Sequence, residues 1–324
     1  MSRAKAVLEI RAEAPQALDA LMLADLWNAA WDDEMPTSAR LLAWALEAQS
    51  PRSVAVWVAS QNGQPLGFII ASHVADGVLG WVDALAVRPH AESAVVHSAL
   101  LEAASGWLKA AGCVTVEIGG GVRSLMRGVL QDTAHADWFP NLGYADAGHV
   151  LDMSVDLARY APPQDGTAFA GVVRPPLARD RDDVDALLAE RAALWSAAMG
   201  APAESGDLLL VDDTRHHGRF ADFMLLWSAR GLEGLSLLIF ADSVIPLDLA
   251  YPYGLPRAWT ALGPVLLRND CAAGASAMLL DASMRRLHNI GANSCVAMQV
   301  RERALYADYG FTPLRTWSVF VKRL

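Results

Sequence analysis

Two stretches of this chain repeat one alternation of apolar and polar positions. Residues 98–118 (SALLEAASGWLKAAGCVTVEI) and 277–298 (AMLLDASMRRLHNIGANSCVAM) each predict an amphipathic helix, a glycine-containing turn and a short apolar strand. Residues 142–157 and 309–324 each predict an aromatic-glycine corner followed by a long alternating strand. Leu100 and Leu279 are 179 residues apart, and so are Gly112 and Gly291. A spacing that wide means two copies of one domain, not an array of short repeats.

The pattern along the first copy predicts strands at 6–11, 53–59, 65–72, 80–87, 113–118 and 144–157, and helices at 15–31, 37–48 and 92–111. Residues 61–64 (QNGQ) signal a hairpin turn. Residues 119–136, opened by three consecutive glycines, carry little pattern. Residues 160–167 (YAPPQDGT) have the composition of an inter-domain linker, which sets the expected domains at 1–159 and 168–324. In the second copy strands are expected at 169–174, 223–228, 230–234, 235–240, 258–267, 294–299 and 313–322. Helices are expected at 182–199, with Asp180 as cap, and at 274–290 and 301–309. Residues 211–220 (VDDTRHHGRF) read as a polar connection between helix and strand. The order predicts an α/β fold in each half, a mixed sheet with helices on both faces.

Composition narrows the partners. The chain of 324 residues carries a formal net charge of -10 and no block of Lys and Arg, which argues against nucleic acid. A polyanionic small molecule stays compatible, because backbone N–H groups can bind phosphate without side-chain charge. No apolar run is long enough for a membrane span, and the first residues do not read as a secretory signal. Three cysteines, Cys113, Cys271 and Cys295, have no CxxC spacing and read as reduced thiols of a cytoplasmic protein. Cys113 and Cys295 fall near the starts of corresponding strands, where a small buried apolar residue fits.

The order of elements and their corners resemble the GCN5-related N-acetyltransferase (GNAT) superfamily, specifically its tandem-domain members. The strongest carrier is Leu305-Tyr306-Ala307-Asp308-Tyr309-Gly310-Phe311, which is similar to the family's F/L-Y-x-x-x-G-F corner; Trp138-Phe139-Pro140-Asn141-Leu142-Gly143-Tyr144 is its first-half counterpart. The resemblance implies two tandem acyl-CoA N-acyltransferase domains. It also implies acetyl-CoA, or another acyl-CoA, as cosubstrate, and a small-molecule or peptide amine as acceptor. No metal is expected. The adjacent His216 and His217 beside Asp212 and Asp213 would chelate one ion poorly, and no third ligand is spaced for it. Monomer and homodimer both stay open.

In the family a loop of pattern R/Q-x-x-G-x-G/A opens the long helix, whose first-turn N–H groups take the pyrophosphate. The second half offers Cys271-Ala272-Ala273-Gly274-Ala275-Ser276 there. Cysteine stands at the Arg/Gln position and serine at the last small position, yet every residue is small. Cofactor binding is therefore expected at Ala272, Ala273, Gly274, Ala275 and Ser276. The first half offers Glu92-Ser93-Ala94-Val95-Val96-His97, with a carboxylate and two bulky residues where the family has none. That makes the first copy the degenerate one.

The resemblance also assigns Tyr306 as general acid for the departing thiolate; Phe139 lacks the hydroxyl in the first half. A main-chain N–H near Leu266 or Leu267 would polarise the thioester carbonyl. Gln299 would lie along the pantetheine arm. Asp222, Glu233, Asp242, Asp248, His216 and His217 are candidates for the base. The alternative is a GNAT-like protein that binds or senses acyl-CoA without turnover.

Overall fold

A computed structural model describes residues 7–31, 35–48, 51–89, 93–131, 133, 135–161, 169–199, 206–217, 219–240, 242–243, 245 and 258–324. The first half contributes β1 (Leu8–Glu13), α1 (Ala20–Trp31), α2 (Ala39–Leu46), β2 (Arg52–Gln61), β3 (Gln64–Val74), β4 (Leu79–Val87), α3 (Ser93–Ala110), β5 (Thr115–Ile118), β6 (Val129–Leu130), α4 (Trp138–Asn141) and β7 (Ala145–Asp156). The second contributes β8 (Val172–Arg174), α5 (Arg181–Met199), α6 (Gly206–His217), β9 (Phe223–Ser228), β10 (Gly231–Ile239), β11 (Trp259–Leu267), α7 (Ala275–Asn289), β12 (Ser294–Val300), α8 (Arg303–Asp308) and β13 (Thr312–Arg323). Residues 162–168, most of the expected linker, and Glu92 and Asp248 lie outside the described residues. No helix among the described residues is long and apolar enough to cross a membrane.

The described residues fall into two compact units. The first takes the chain through Gly148 together with Ser318–Leu324, and the second runs from His149 to Trp317. Each unit thus differs from its half of the sequence, 1–159 or 168–324, at the last strand. The end of β13 pairs antiparallel with β5 in the first unit, Phe320 facing Ile118 and Arg323 facing Thr115. In the second unit β7 pairs antiparallel with β12, Ser294 facing Asp156 and Ala297 facing Met153. Both strands alternate apolar and polar residues in the same way, so that pattern fixes a face but not a partner.

In the first unit the strand order is β1-β2-β3-β4-β5-β13. Asn62 (φ 53°) and Gly63 (φ 75°) make the left-handed two-residue turn that joins β2 to β3. Trp27 of α1 meets Phe68 at 6.5 Å, whereas Trp107 of α3 meets Trp57, the cross-strand partner of Ile69. Phe68 and Ile69 point to opposite faces, so helices cover both sides of the sheet, as expected. In the second unit the order is β7-β12-β11-β10-β9-β8, with β11 and β12 parallel. Leu279, Leu280, Met284 and Leu287 of α7 form its core with Met224, Leu238, Leu262 and Cys295. All three cysteines are free thiols, and Cys113 and Cys295 are buried.

Two sequence expectations change. Residues 211–217 are not a connection but the end of α6, whose polar Asp212-Asp213-Thr214-Arg215 run hides a buried stripe of Leu208, Val211 and Thr214. The segments expected at 230–234 and 235–240 are one strand, β10, bent where its register with β9 shifts between Leu232 and Gly234.

Candidate active site

The site begins where two parallel strands stop pairing. β11 and β12 are paired from Trp259 opposite Ser294 to Leu262 opposite Ala297, and then part. Each strand carries an extra residue there. Gly263 and Pro264 stand opposite Leu237 of β10, and Met298 and Gln299 stand opposite Asp152 of β7. Such bulges bend a strand and interrupt its ladder. The wedge opens into a cavity of 320 Å³ whose walls include β11, β12, the start of α7 and α8.

Of the residues named from sequence, Leu267, Ser276, Gln299 and Tyr306 line this cavity together. Leu266 does not; it is buried. The N–H of Arg268 donates to the Glu233 carbonyl of β10 (2.8 Å), so strand alternation turns the Leu267 amide the other way, toward the wedge. Gly274 caps α7 at φ 86°, a left-handed conformation that suits glycine, and no side chain caps the helix. Ala272 and Ala273 are exposed, and Ala275 is buried in the core. The first turn of α7 therefore presents main-chain donors that its N-cap residue does not satisfy.

Tyr306 sits on α8, its ring edge-on to Phe311 at 5.4 Å. Burial pushes its hydroxyl pKa well above the ordinary tyrosine value, and the neighbouring Cys295 thiol and the Glu302 and Asp207 carboxylates add to the shift. The group stays a protonated acid at any physiological pH. Asp207, in the first turn of α6, and Glu302 also line the cavity, as do Arg191, Arg268 and Arg301. Sequence reasoning missed all five. Arg268, paired with Glu190 at 2.8 Å, had a signal: it is the one basic residue between 258 and 284, directly after β11.

None of the described candidates for the base lines the cavity. Glu233 is buried near the start of β10, where it accepts from Arg230 Nε (2.9 Å) and Nη2 (2.7 Å) and from Ser228 Oγ. The Arg230 guanidinium holds its carboxyl below the usual range. Asp222 is buried, accepting from Arg219 Nε (3.1 Å) and Ser243 Oγ (2.7 Å); Asp242 pairs with the same arginine. His216 and His217 end α6, with His216 Nε2 3.6 Å from Asp212.

In the first unit the matching wedge lies beyond Val82 and Ile118, the last parallel pair of β4 and β5. Protein fills it. The N–H of Gly119 donates to the Val82 carbonyl (2.9 Å), and those of Leu125 and Met126 donate to that of Asp83 (2.8 and 3.2 Å). Arg123, 1% exposed, donates to the Trp44 carbonyl at 3.1 Å. A Cβ on Gly121 would lie 2.1 Å from Asp83 Oδ1, so bare backbone is what lets residues 119–126 enter. Phe139, in the place corresponding to Tyr306, is buried and stacks on Phe320 at 5.2 Å. His97 is buried as well, with Nδ1 2.7 Å from the Ser93 carbonyl.

Residues 20–123 match the model of the acetyltransferase (GNAT) family. No curated protein matches the chain in sequence. Among solved structures, a GCN5-related glucosamine N-acetyltransferase region of a fungal multi-domain GH3 β-N-acetylglucosaminidase is similar over 98% of this chain at 15% identity, with a TM-score of 0.84. This chain spans 38% of the length of that protein. A tandem GNAT protein from the clavulanic acid biosynthesis pathway is 16% identical, with 98% of each chain covered and a TM-score of 0.65. A GCN5-related N-acetyltransferase from Sphaerobacter thermophilus is 15% identical, with 98% of this chain and 95% of its own covered and a TM-score of 0.66. Residues 20–123 thus match the GNAT family, and the chain as a whole has the fold of tandem GNAT proteins. The two GNAT-like domains share one order of elements and differ in what occupies the wedge.

Proposed function

We propose that this protein is an acyl-CoA-dependent N-acyltransferase whose chemistry takes place in the second unit. One contrast carries the reading. The wedge between β11 and β12 is open, beside an uncapped helix and a tyrosine hydroxyl, whereas the wedge beyond Val82 is packed with residues 119–126. The residues present suit an acyl-CoA. Main-chain N–H groups at Gly274 and Ser276 would hold the pyrophosphate, with Ala272, Ala273 and Ala275 small enough to leave it room. Arg268 supplies positive charge at the end of β11 that the loop itself lacks. Gln299 would hydrogen-bond the amide-bearing arm.

Acyl-CoA brings the thioester whose acyl group an amine can accept. The Leu267 N–H would draw electron density from the carbonyl oxygen. As the C–N bond forms and the C–S bond breaks, Tyr306 would give its hydroxyl proton to the sulfur. The proton shed by the attacking nitrogen would leave through Asp207 or Glu302, the carboxylates that line the cavity. The first unit would then serve as scaffold. The absence of Arg or Gln at Cys271 favours one rival, a protein that binds acyl-CoA without turnover.

Tyr306→Phe tests the reading. Turnover of acetyl-CoA with a panel of amines, glucosamine among them, should fall by about 10²–10⁴ while acetyl-CoA affinity by calorimetry is unchanged. Wild-type protein should gain roughly 2.7 kcal/mol at 100 times the Kd. A thermal shift without thiol release on any amine would establish the rival; no shift would remove both.

A further inference from the structure

Gln299 stands inside a β-strand with a left-handed backbone, φ 55°, which a side chain other than glycine resists. The cause lies on the neighbouring strand. β12 keeps step with β7 until Ala297 faces Met153; then Val300 faces Leu151, leaving Met298 and Gln299 opposite Asp152 alone. The Asp152 side chain, fully buried, takes up the interrupted ladder. Its Oδ1 accepts the Gln299 N–H (2.9 Å) and its Oδ2 accepts the Trp317 Nε1–H (2.6 Å). Met298, Gln299 and Val300 all line the cavity, which three successive residues of a regular strand could not do. Pairing with β11 ends at Ala297, one residue earlier.

We propose that Asp152 is a positioning residue for the acyl-CoA site: its carboxylate holds β12 in the bulged form that turns Gln299 into the cavity and keeps the wedge open. The inference rests on the reading of that cavity given above. It assigns a role in the second unit to a residue from the first copy of the sequence. The neighbouring Trp317 anchors the other oxygen of the carboxylate.

Calorimetry with coenzyme A separates the two claims. If wild-type protein does not bind coenzyme A, the cavity reading fails and this role fails with it. If it binds, folded Asp152→Asn should bind about 5- to 30-fold more weakly, the factor that about 1–2 kcal/mol of backbone preference represents. Trp317→Phe should melt earlier with affinity kept. In the Asp152→Asn background Gln299→Gly should bind more tightly than Gln299→Ala, because glycine accepts the left-handed backbone unaided; with Asp152 intact the two should match. Wild-type affinity in Asp152→Asn, or equal affinities of the two Gln299 variants in that background, would overturn the role. Should Asp152→Asn not fold, amide hydrogen exchange of wild-type protein decides. A protected Gln299 N–H supports the hold, and an unprotected one refutes it.

Discussion

Replacing Ser276 by aspartate should raise stability and weaken cofactor binding at once. Ser276 is the second residue of α7 and lines the cavity. Gly274 offers the helix no side-chain cap, and no acidic residue stands in the first turn, so the positive end of the helix is uncompensated. A carboxylate there contributes about 0.3–1 kcal/mol, equivalent to about 1–4 °C in Tm for a unit of this size. The same carboxylate would compete with phosphate for the same amides. Two unit charges at about 4 Å repel by about 4 kcal/mol at an effective dielectric constant near 20. Water at the half-exposed site screens part of this, leaving an expected loss of about a hundredfold in Kd. Thermal unfolding without ligand and calorimetry with coenzyme A read the two effects, with Ser276→Ala as the uncharged control. Coenzyme A affinity equal in the two variants would refute phosphate binding at α7, and a lowered Tm would refute the account of the helix terminus.

In the first unit, Gly121→Ala should destabilise by about 1–3 kcal/mol in urea unfolding, because its Cβ meets Asp83 Oδ1 while Arg52 Nη2 grips the other oxygen at 2.8 Å. Coenzyme A affinity should not change; full stability would show that the wedge is not packed as described. Glu233 gives a pH signature. Its folded-state pKa is depressed below 4.5, so its contribution to stability is complete above that pH and is lost as pH falls through the folded value. Urea midpoints should drop below about pH 4.5 in wild-type protein and less steeply in Glu233→Gln, and identical slopes would remove the linkage.

Much of this was legible because local chemistry dictated it. Gly112 and Gly291 both end a long helix at positive φ, near 96° and 90°, and Gly143 and Gly310 both turn the aromatic corner near 80°. A backbone need of that kind leaves its mark on the sequence. Ser276, Gln299 and Tyr306, named through the resemblance, line one cavity because their positions follow from those corners. The role of Gly119, Gly120 and Gly121 was not legible: they read as a loop, and only the filled wedge explains them. α6 stayed hidden because its solvent face carries the residues of a connection. Asp152 looked like any polar residue of an alternating strand, since nothing local says that its neighbour across the sheet has one residue too many.

The exchange of strands ties each unit to the other half of the sequence. The earlier copy leaves the ribosome first, yet its sheet includes Ser318–Leu324, which are made only after α8. It cannot close until those residues have been made and have emerged. A gene split between the copies would leave each product one strand short, so neither copy would complete its sheet alone.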